Sequence, residues 1–435
     1  MRGVLLLALV LALPAFATAA DRPVTPAETN DPLTTIETTA QFAVVMDYDT
    51  GAVLFSKRGD ELMKPASMAK LVTVSILFEK LKHAELKLDD TFLVSEKAWR
   101  QSIADKSEAS KMFVRVGDAV RVEDLIRGIV IQSGNDACIV VAEHVAGSEE
   151  AFARLMNAQA KRMGLTQSTF VNSNGMPDPA QNVTARELAM VARYIIKEYP
   201  DYYHYFGEKD FTWSKITQPN RNLLLGTYPG ADGLKTGHTA ESGFGMTASA
   251  IQDGRRLIIV VNGLTSEAER AAEAKRLLDI GFREFKSYTL LKPGEVVGEA
   301  EVWAGEFRTV PLAVRQPVSI MLRRASRDGL RVTLKFEEPV TPPIARGREL
   351  GSLIITAPGA PSLTVPVFAG SAVESGGVFT QMKVGLKALI SGRDEPQTRA
   401  VPVKRRTDAP AESGETNRPE APNQADAPGP PDTSQ

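Results

Sequence analysis

The stretch "KPASMAKLVT", residues 64–73, places Ser67 and Lys70 three residues apart at the expected start of a helix. Residues at i and i+3 of a helix sit one above the other on one face. A hydroxyl is thus held beside an amine, with Pro65 ahead of it and Leu71, Val72 and Val74 behind. A serine is a poor nucleophile until a base takes its proton, and a lysine is a base only when neutral. At the ordinary pKa, neutralising a lysine at pH 7 costs about 4.6 kcal/mol. Burial together with a second cation disfavours the ammonium, so a working pair needs a cation from elsewhere in the chain.

Two later segments supply the rest. Ser133-Gly134-Asn135 falls in a break between two helical runs, and Lys235-Thr236-Gly237 follows Asp232-Gly233-Leu234 at a return to strand. Each has an ordinary reading alone. The first suits an interhelical turn or N-cap, the second a solvated edge-strand lysine, and SxxK arises by chance. Together and in this order they form a constellation. Lys235 becomes the second cation if its strand lies beside Ser67.

Composition narrows the setting. The chain has 435 residues, 43% hydrophobic and 24% charged, which allows two ordinary soluble domains plus extensions. A net charge of -2 gives no global field for nucleic acid. One cysteine, Cys138, excludes an intrachain disulfide, and within "ACIVVA" it reads as a small buried hydrophobe. The four histidines are scattered, with no HExxH and no CxxC, so no metal site is expected. Residues 1–20, "MRGVLLLALVLALPAFATAA", combine an arginine, a short apolar run and small residues at 17–19, the pattern of a cleaved secretory signal peptide.

Along the chain, "QFAVVMDYDTGAVLFS" (41–56) reads as two strands joined at Asp49-Thr50-Gly51. From about 119 to 200 the apolar period is 3.6, and strands return in "FGMTASAIQDGRRLIIVVNGL" with a hairpin at Asp253-Gly254. The helix "EAERAAEAKRLLDIGFREF" closes this part, so an α+β domain over 21–288 is expected, one sheet covered by helices with a helical insertion. After Lys292-Pro293-Gly294 the period is two, in "VSIMLRR", "RVTLKFEE", "GSLIITA" and "SLTVPVFAG", which implies a small β-sandwich over 289–376. In residues 377–390, Phe379, Met382, Leu386 and Leu389 share a face opposite Lys383 and Lys387. That segment is either a membrane-surface helix or a last element packed on the sandwich. Residues 391–435 lack any aromatic, Leu, Ile or Met, and disorder is expected there.

The SxxK, SxN and KTG signatures resemble those of penicillin-binding proteins and class A β-lactamases. The segments "QSGNDAC", "MNAQAKRMGLTQSTF" and "DGLKTGHT", with Arg270 and Glu273 before "AKRLLDIGF", are closer to the low-molecular-mass D-alanyl-D-alanine carboxypeptidases. The resemblance spans roughly residues 35 to 390 and implies a β-lactamase/DD-peptidase-like domain followed by a β-domain. It implies Ser67 as nucleophile, Lys70 as base and Ser133 as proton relay to the leaving amine, an acyl transfer that needs no organic cofactor. Asn135 would bond Lys70 and the substrate backbone, while Lys235 and Thr236, with Arg270 as a second contact, would hold a terminal carboxylate. Gly237 would leave room for the substrate, and the N–H groups of Ser67 and His238 would form an oxyanion hole. Arg270 has an ordinary reading too, as a surface ion-pair partner of Glu267 or Glu273.

The implied partners are peptidoglycan stem peptides ending in D-Ala-D-Ala, β-lactams as covalent inhibitors, and the outer face of the inner membrane, with the protein in the periplasm. The same residues would serve an endopeptidase. A serine β-lactamase would carry a deacylating glutamate in an ExxLN motif, which is absent between Asn135 and Lys235. A non-catalytic envelope scaffold would be expected to lose Ser67, Lys70 or Lys235, and all three are present. One departure stands out: Ala69 precedes the lysine where family members commonly carry threonine.

Overall fold

A computed structural model describes residues 36–104, 110–379, 382, 386 and 397–403. The expected signal peptide and most of the tail lie outside the described residues. The chain runs through strands β1 (Phe42–Asp47), β2 (Val53–Lys57) and β3 (Leu62–Met63) into a 3-10 turn, Ala66–Ala69, and helix α1 (Lys70–Lys82). There follow β4 (Thr91–Leu93), α2 (Glu96–Ala104), β5 (Ala119–Arg121), α3 (Val122–Val130), α4 (Asn135–Ala146) and α5 (Glu149–Arg162). Then come β6 (Val183–Thr184), α6 (Ala185–Glu198), α7 (Pro200–Tyr203) and the hairpin of β7 (Asp210–Trp213) with β8 (Ile216–Pro219). The strands β9 (Ala231–Thr239), β10 (Gly243–Gln252) and β11 (Arg255–Leu264) precede α8 (Glu267–Glu284).

The central sheet is antiparallel, in the order β2-β1-β11-β10-β9. Its β10–β11 hairpin turns at Asp253 and Gly254, both at positive φ, as a tight two-residue hairpin requires. Both faces are covered, which is why β11 reads as a continuous apolar run. Ile258 and Val260 join the cluster containing α1 and α6, while Leu257 points at Gly281 of α8. Helix α1 is buried on every side from Lys70 to Phe78. Its polar residues must therefore find partners inside the protein.

Strand structure resumes directly after α8, with β12 (Phe285–Leu291), β13 (Val296–Glu301), β14 (Thr309–Ala313), β15 (Val318–Arg323), β16 (Arg331–Glu338), β17 (Glu349–Ala357) and β18 (Ala360–Ala369). A two-stranded ribbon, β12-β15, packs its Ile320 and Leu322 with Leu334, Phe336, Leu353, Ile355 and Val367 of a larger sheet. That sheet contains one element the composition did not announce. Residues 397–402 form β19 (Gln397–Pro402), paired antiparallel with the outer edge of β16, so the expectation of disorder from 391 onward fails there. All six β19 residues are exposed, and the pairing rests on main-chain hydrogen bonds to an open edge and an ion pair from Arg399 to Glu338, for which apolar composition is not needed.

Of the segment 377–390, the described residues Val378, Phe379, Met382 and Leu386 are helical and 73%, 88%, 66% and 61% exposed. These four side chains do not pack on the sandwich. No helix of the described residues is long and apolar enough to cross a membrane.

Candidate active site

Ser67 lies in the 3-10 turn, one step ahead of α1 rather than in its first α-helical turn. Two glycines grip this turn. Gly175 sits at φ +82°, and a Cβ there would come 2.0 Å from the Ala66 carbonyl oxygen. On the other side, a Cβ on Gly237 of β9 would meet Pro65 O at 3.0 Å and the Ser67 and Met68 nitrogens at 3.1 Å. The missing Cβ at Gly237 therefore first serves the approach of β9 to the turn, not only room for a ligand. Ala66 itself is held at φ 46°, a conformation an alanine keeps only when its surroundings impose it.

Lys70 is fully buried. Its Nζ donates to Ser67 Oγ at 2.7 Å, Asn135 Oδ1 at 2.8 Å and the Asn174 main-chain oxygen at 2.5 Å. One turn on, Thr73 Oγ1 donates to Ser173 O at 2.6 Å, so the 173–175 loop is tied twice to α1. The acceptor set dictates what deprotonation does. Both Asn oxygens can only accept, so a neutral amine gives its two N–H groups to them and turns its lone pair to the Ser67 hydroxyl.

Burial, the largest effect, with the Arg221 guanidinium acting in the same sense, lowers the Lys70 pKa to about 8, against the pull of Asp136. Neutralising it at pH 7 then costs about 1.4 kcal/mol.

Ser133 sits at φ 61° between α3 and α4, buried, with no hydrogen-bond partner for its Oγ. The neighbourhood is braced by main chain. Gly134 N–H donates to Gly128 O and Asn135 N–H to Ser110 O, each at 2.8 Å. The Asp136 carboxylate accepts from Met112 and Phe113 N–H at 2.9 Å and from Val114 N–H at 3.3 Å. Cys138 is buried on the next turn, and burial pushes its thiol up to about 12, so it stays neutral.

Lys235, on the edge strand β9, is buried rather than solvated, and donates to Thr236 O at 3.0 Å. Burial first, then the Lys70 charge, followed by Arg221 and Arg270, holds its pKa well below the usual value. The Lys70 charge thus bears on Lys235, whereas the cation that lowers Lys70 is Arg221 rather than the expected Lys235. Thr236 is buried beside it. His238 is exposed, its ring stacked on Phe244. Arg270 is 1% exposed on α8 and donates weakly to Glu267 Oε1 at 3.4 Å and Arg221 O at 3.3 Å.

The nine expected residues therefore fall on four pieces of the fold: the nucleophile turn with α1, the α3–α4 break, β9 and α8. Three groups were missed. Arg221 sits in the aperiodic stretch after β8, donates to Ser110 Oγ and bears on both lysines. Asn174 and Gly175 lie in the loop "NSNGM", where the glycine was the one available signal. Ala69, where family members commonly carry threonine, is fully buried in the apolar cluster. Among the described residues no group of three His, Cys, Asp or Glu could hold a metal ion.

Residues 26–266 match the family model described as D-alanyl-D-alanine carboxypeptidase, and residues 285–375 match that of the penicillin-binding protein 5 C-terminal domain. D-alanyl-D-alanine carboxypeptidase DacC of Escherichia coli (strain K12) is 38% identical over 77% of this chain and 84% of its own. The crystal structure of penicillin-binding protein 5 from Haemophilus influenzae superposes with a TM-score of 0.69 at 32% identity, covering 79% of this chain and 99% of that one. Penicillin-binding protein D2 from Listeria monocytogenes, solved in a cefotaxime-bound form, matches at 27% identity and a TM-score of 0.52 over 57% of this chain and 99% of that one. A nucleophile turn, a buried lysine pair and a trailing β-domain thus coincide with matches across both parts of the chain: it belongs to the D-alanyl-D-alanine carboxypeptidase family of serine peptidases.

Proposed function

We propose that the protein is a serine-type carboxypeptidase that removes the terminal D-alanine from peptidoglycan pentapeptide stems. The observation that carries this is the fully buried Lys70 amine 2.7 Å from the Ser67 hydroxyl, with its other acceptors fixed. Neutral Lys70 takes the Ser67 proton as Oγ attacks the penultimate D-alanine carbonyl carbon. The charge on the carbonyl oxygen is met by the N–H groups of Ser67 and His238. Ser133, its Oγ otherwise unpartnered, passes a proton to the leaving nitrogen. The C–N bond breaks, D-alanine departs, and water hydrolyses the Ser67 ester to release the shortened stem. Asn135 aligns Lys70 and the peptide backbone, Gly237 admits it along β9, and Lys235, Thr236 and Arg270 hold the terminal carboxylate. That carboxylate also favours the charged form of Lys235, which in turn disfavours the Lys70 ammonium.

β-Lactams acylate the same serine, a reading supported by the cefotaxime-bound relative. The chain is exported and works in the periplasm, against the outer face of the inner membrane, where Val378, Phe379, Met382 and Leu386 rest in the interface. The division into a catalytic domain and a β-domain, expected at 21–288 and 289–376, is part of the proposal, with the junction drawn back to Phe285, where β12 begins. It is supported by two separate apolar clusters, one ending at Val260 and the other starting at Leu291.

Incubation with a pentapeptide ending in D-Ala-D-Ala, followed by mass analysis, tests the reaction. Loss of one alanine is expected, whereas cleavage confined to crosslinked dimers would make the protein an endopeptidase. A fluorescent penicillin should label the wild type and not Ser67→Ala.

A further inference from the structure

The turn between β9 and β10 is closed by paired hydroxyls. Thr239 N–H donates to Ser242 Oγ at 3.0 Å, and Ser242 N–H donates to Thr239 Oγ1 at 3.0 Å. This fixes the register that sets Phe244 directly across from His238. The two rings stack with centroids 3.8 Å apart and planes 21° from parallel. The same phenyl ring also meets α8, where the Arg270 Cζ lies 5.7 Å from its centroid.

Arg270 needs such a support. Its guanidinium has five N–H donors, yet its Nε has no hydrogen-bond partner, and its two contacts, both from Nη2, are long. Glu267, one of those two partners, is 56% exposed. Two weak bonds at one corner do not set the plane of a fork whose use is planar recognition of a carboxylate. An aromatic face against the cation restricts that plane.

We propose that Phe244 is a positioning residue for the terminal-carboxylate subsite, its ring, itself held against His238, setting the plane of the Arg270 guanidinium. The inference rests on the carboxypeptidase reading above and adds to it a determinant of preference for a free terminal carboxylate. Phe244 touches no reacting atom. Its effect runs through substrate capture, because an interaction made equally in ground and transition states changes KM and leaves kcat alone.

The test compares a peptide ending in D-Ala-D-Ala with its C-terminal amide, on wild type, Phe244→Leu and Phe244→Tyr. Leucine keeps apolar volume and removes the ring, whereas tyrosine keeps the ring. For Phe244→Leu, KM on the free acid should rise by about fivefold to tenfold with kcat within about twofold, and the amide should be unaffected. Phe244→Tyr should retain the wild-type preference for acid over amide. Equal losses on acid and amide, or an unchanged acid-to-amide ratio in Phe244→Leu, would overturn the proposal while leaving an active wild type and its function intact. A wild type inactive on both peptides would remove the functional reading itself, and this inference with it.

Discussion

Lys70 and Asn174 lie 104 positions apart, and the lysine Nζ donates to the asparagine main-chain oxygen at 2.5 Å. With Asn135 Oδ1 at 2.8 Å, this leaves the neutral amine one direction for its lone pair, toward Ser67. Acylation should therefore follow the deprotonation of Lys70. The rate of labelling by a fluorescent penicillin should rise with pH through a midpoint near 8, the value to which burial lowers this lysine. The sign follows from the base: below the midpoint the ammonium predominates and cannot accept the serine proton. Lys70→Arg keeps a cation that does not deprotonate, and labelling should fall by about 100-fold or more at every pH. A rate independent of pH from about 6 to about 10 would place the base elsewhere.

Arg221 offers a second control over the same titration. Its charge disfavours the Lys70 ammonium, so Arg221→Met should move the midpoint of the labelling profile to higher pH. The variant would then label more slowly than wild type near neutrality and converge with it in alkaline buffer. A midpoint that stays put or moves down would show that burial alone sets the lysine.

Gly175 and Gly117 share a backbone conformation, at φ +82° and +81°, but not a neighbourhood. A Cβ at Gly117 meets nothing within 4 Å, whereas at Gly175 it falls 2.0 Å from the Ala66 carbonyl oxygen. Gly117→Ala should thus cost about 1–2 kcal/mol, the left-handed backbone penalty alone. Gly175→Ala adds an overpacking cost of about 1–3 kcal/mol and shifts the nucleophile turn. Denaturant unfolding should separate the two, and penicillin labelling should drop in Gly175→Ala only. Equal stability of the two variants would mean the loop moves aside freely.

What could be read from the sequence divides along physical lines. Ser67, Lys70, Ser133, Asn135 and Lys235 stand in short motifs whose local geometry is set by neighbours in the chain, and the β10–β11 hairpin at Asp253-Gly254 is equally local. The burial of Lys235 was not legible, because an edge-strand lysine looks the same in sequence whether or not a loop and a helix cover it. Arg221 and Asn174 were hidden for a related reason. One acts through its charge at a distance and the other through a main-chain oxygen, and neither use leaves a mark in residue type or periodicity. The reason for Gly237 was half legible, since the sequence called for an open strand surface but could not say that the 65–68 turn fills it.

Strand β19 was illegible in the opposite sense, because composition argued against it. Its six residues are exposed and pair with β16 through the main chain, from Thr333↔Pro402 to Glu338↔Gln397, with Arg399 ion-paired to Glu338. A chain ending at residue 396 should lose little buried apolar surface, so its Tm should fall by no more than about a few degrees. Its turnover of a D-Ala-D-Ala peptide should match the full-length protein, since the site is built on β9, α1, the α3–α4 break and α8. The truncation does, however, expose the β16 edge, a row of unpaired N–H and C=O groups that can pair with another chain. Sedimentation of the shortened protein should therefore show self-association that grows with concentration and is absent from the full-length chain. Lysine introduced at Thr333 and Leu334 would not discriminate, because Leu334 is buried and its loss would damage the core. Restoring residues 397–402 as a separate peptide should reverse the association. A shortened protein that stays monomeric at every concentration would show that β19 is not what protects this edge.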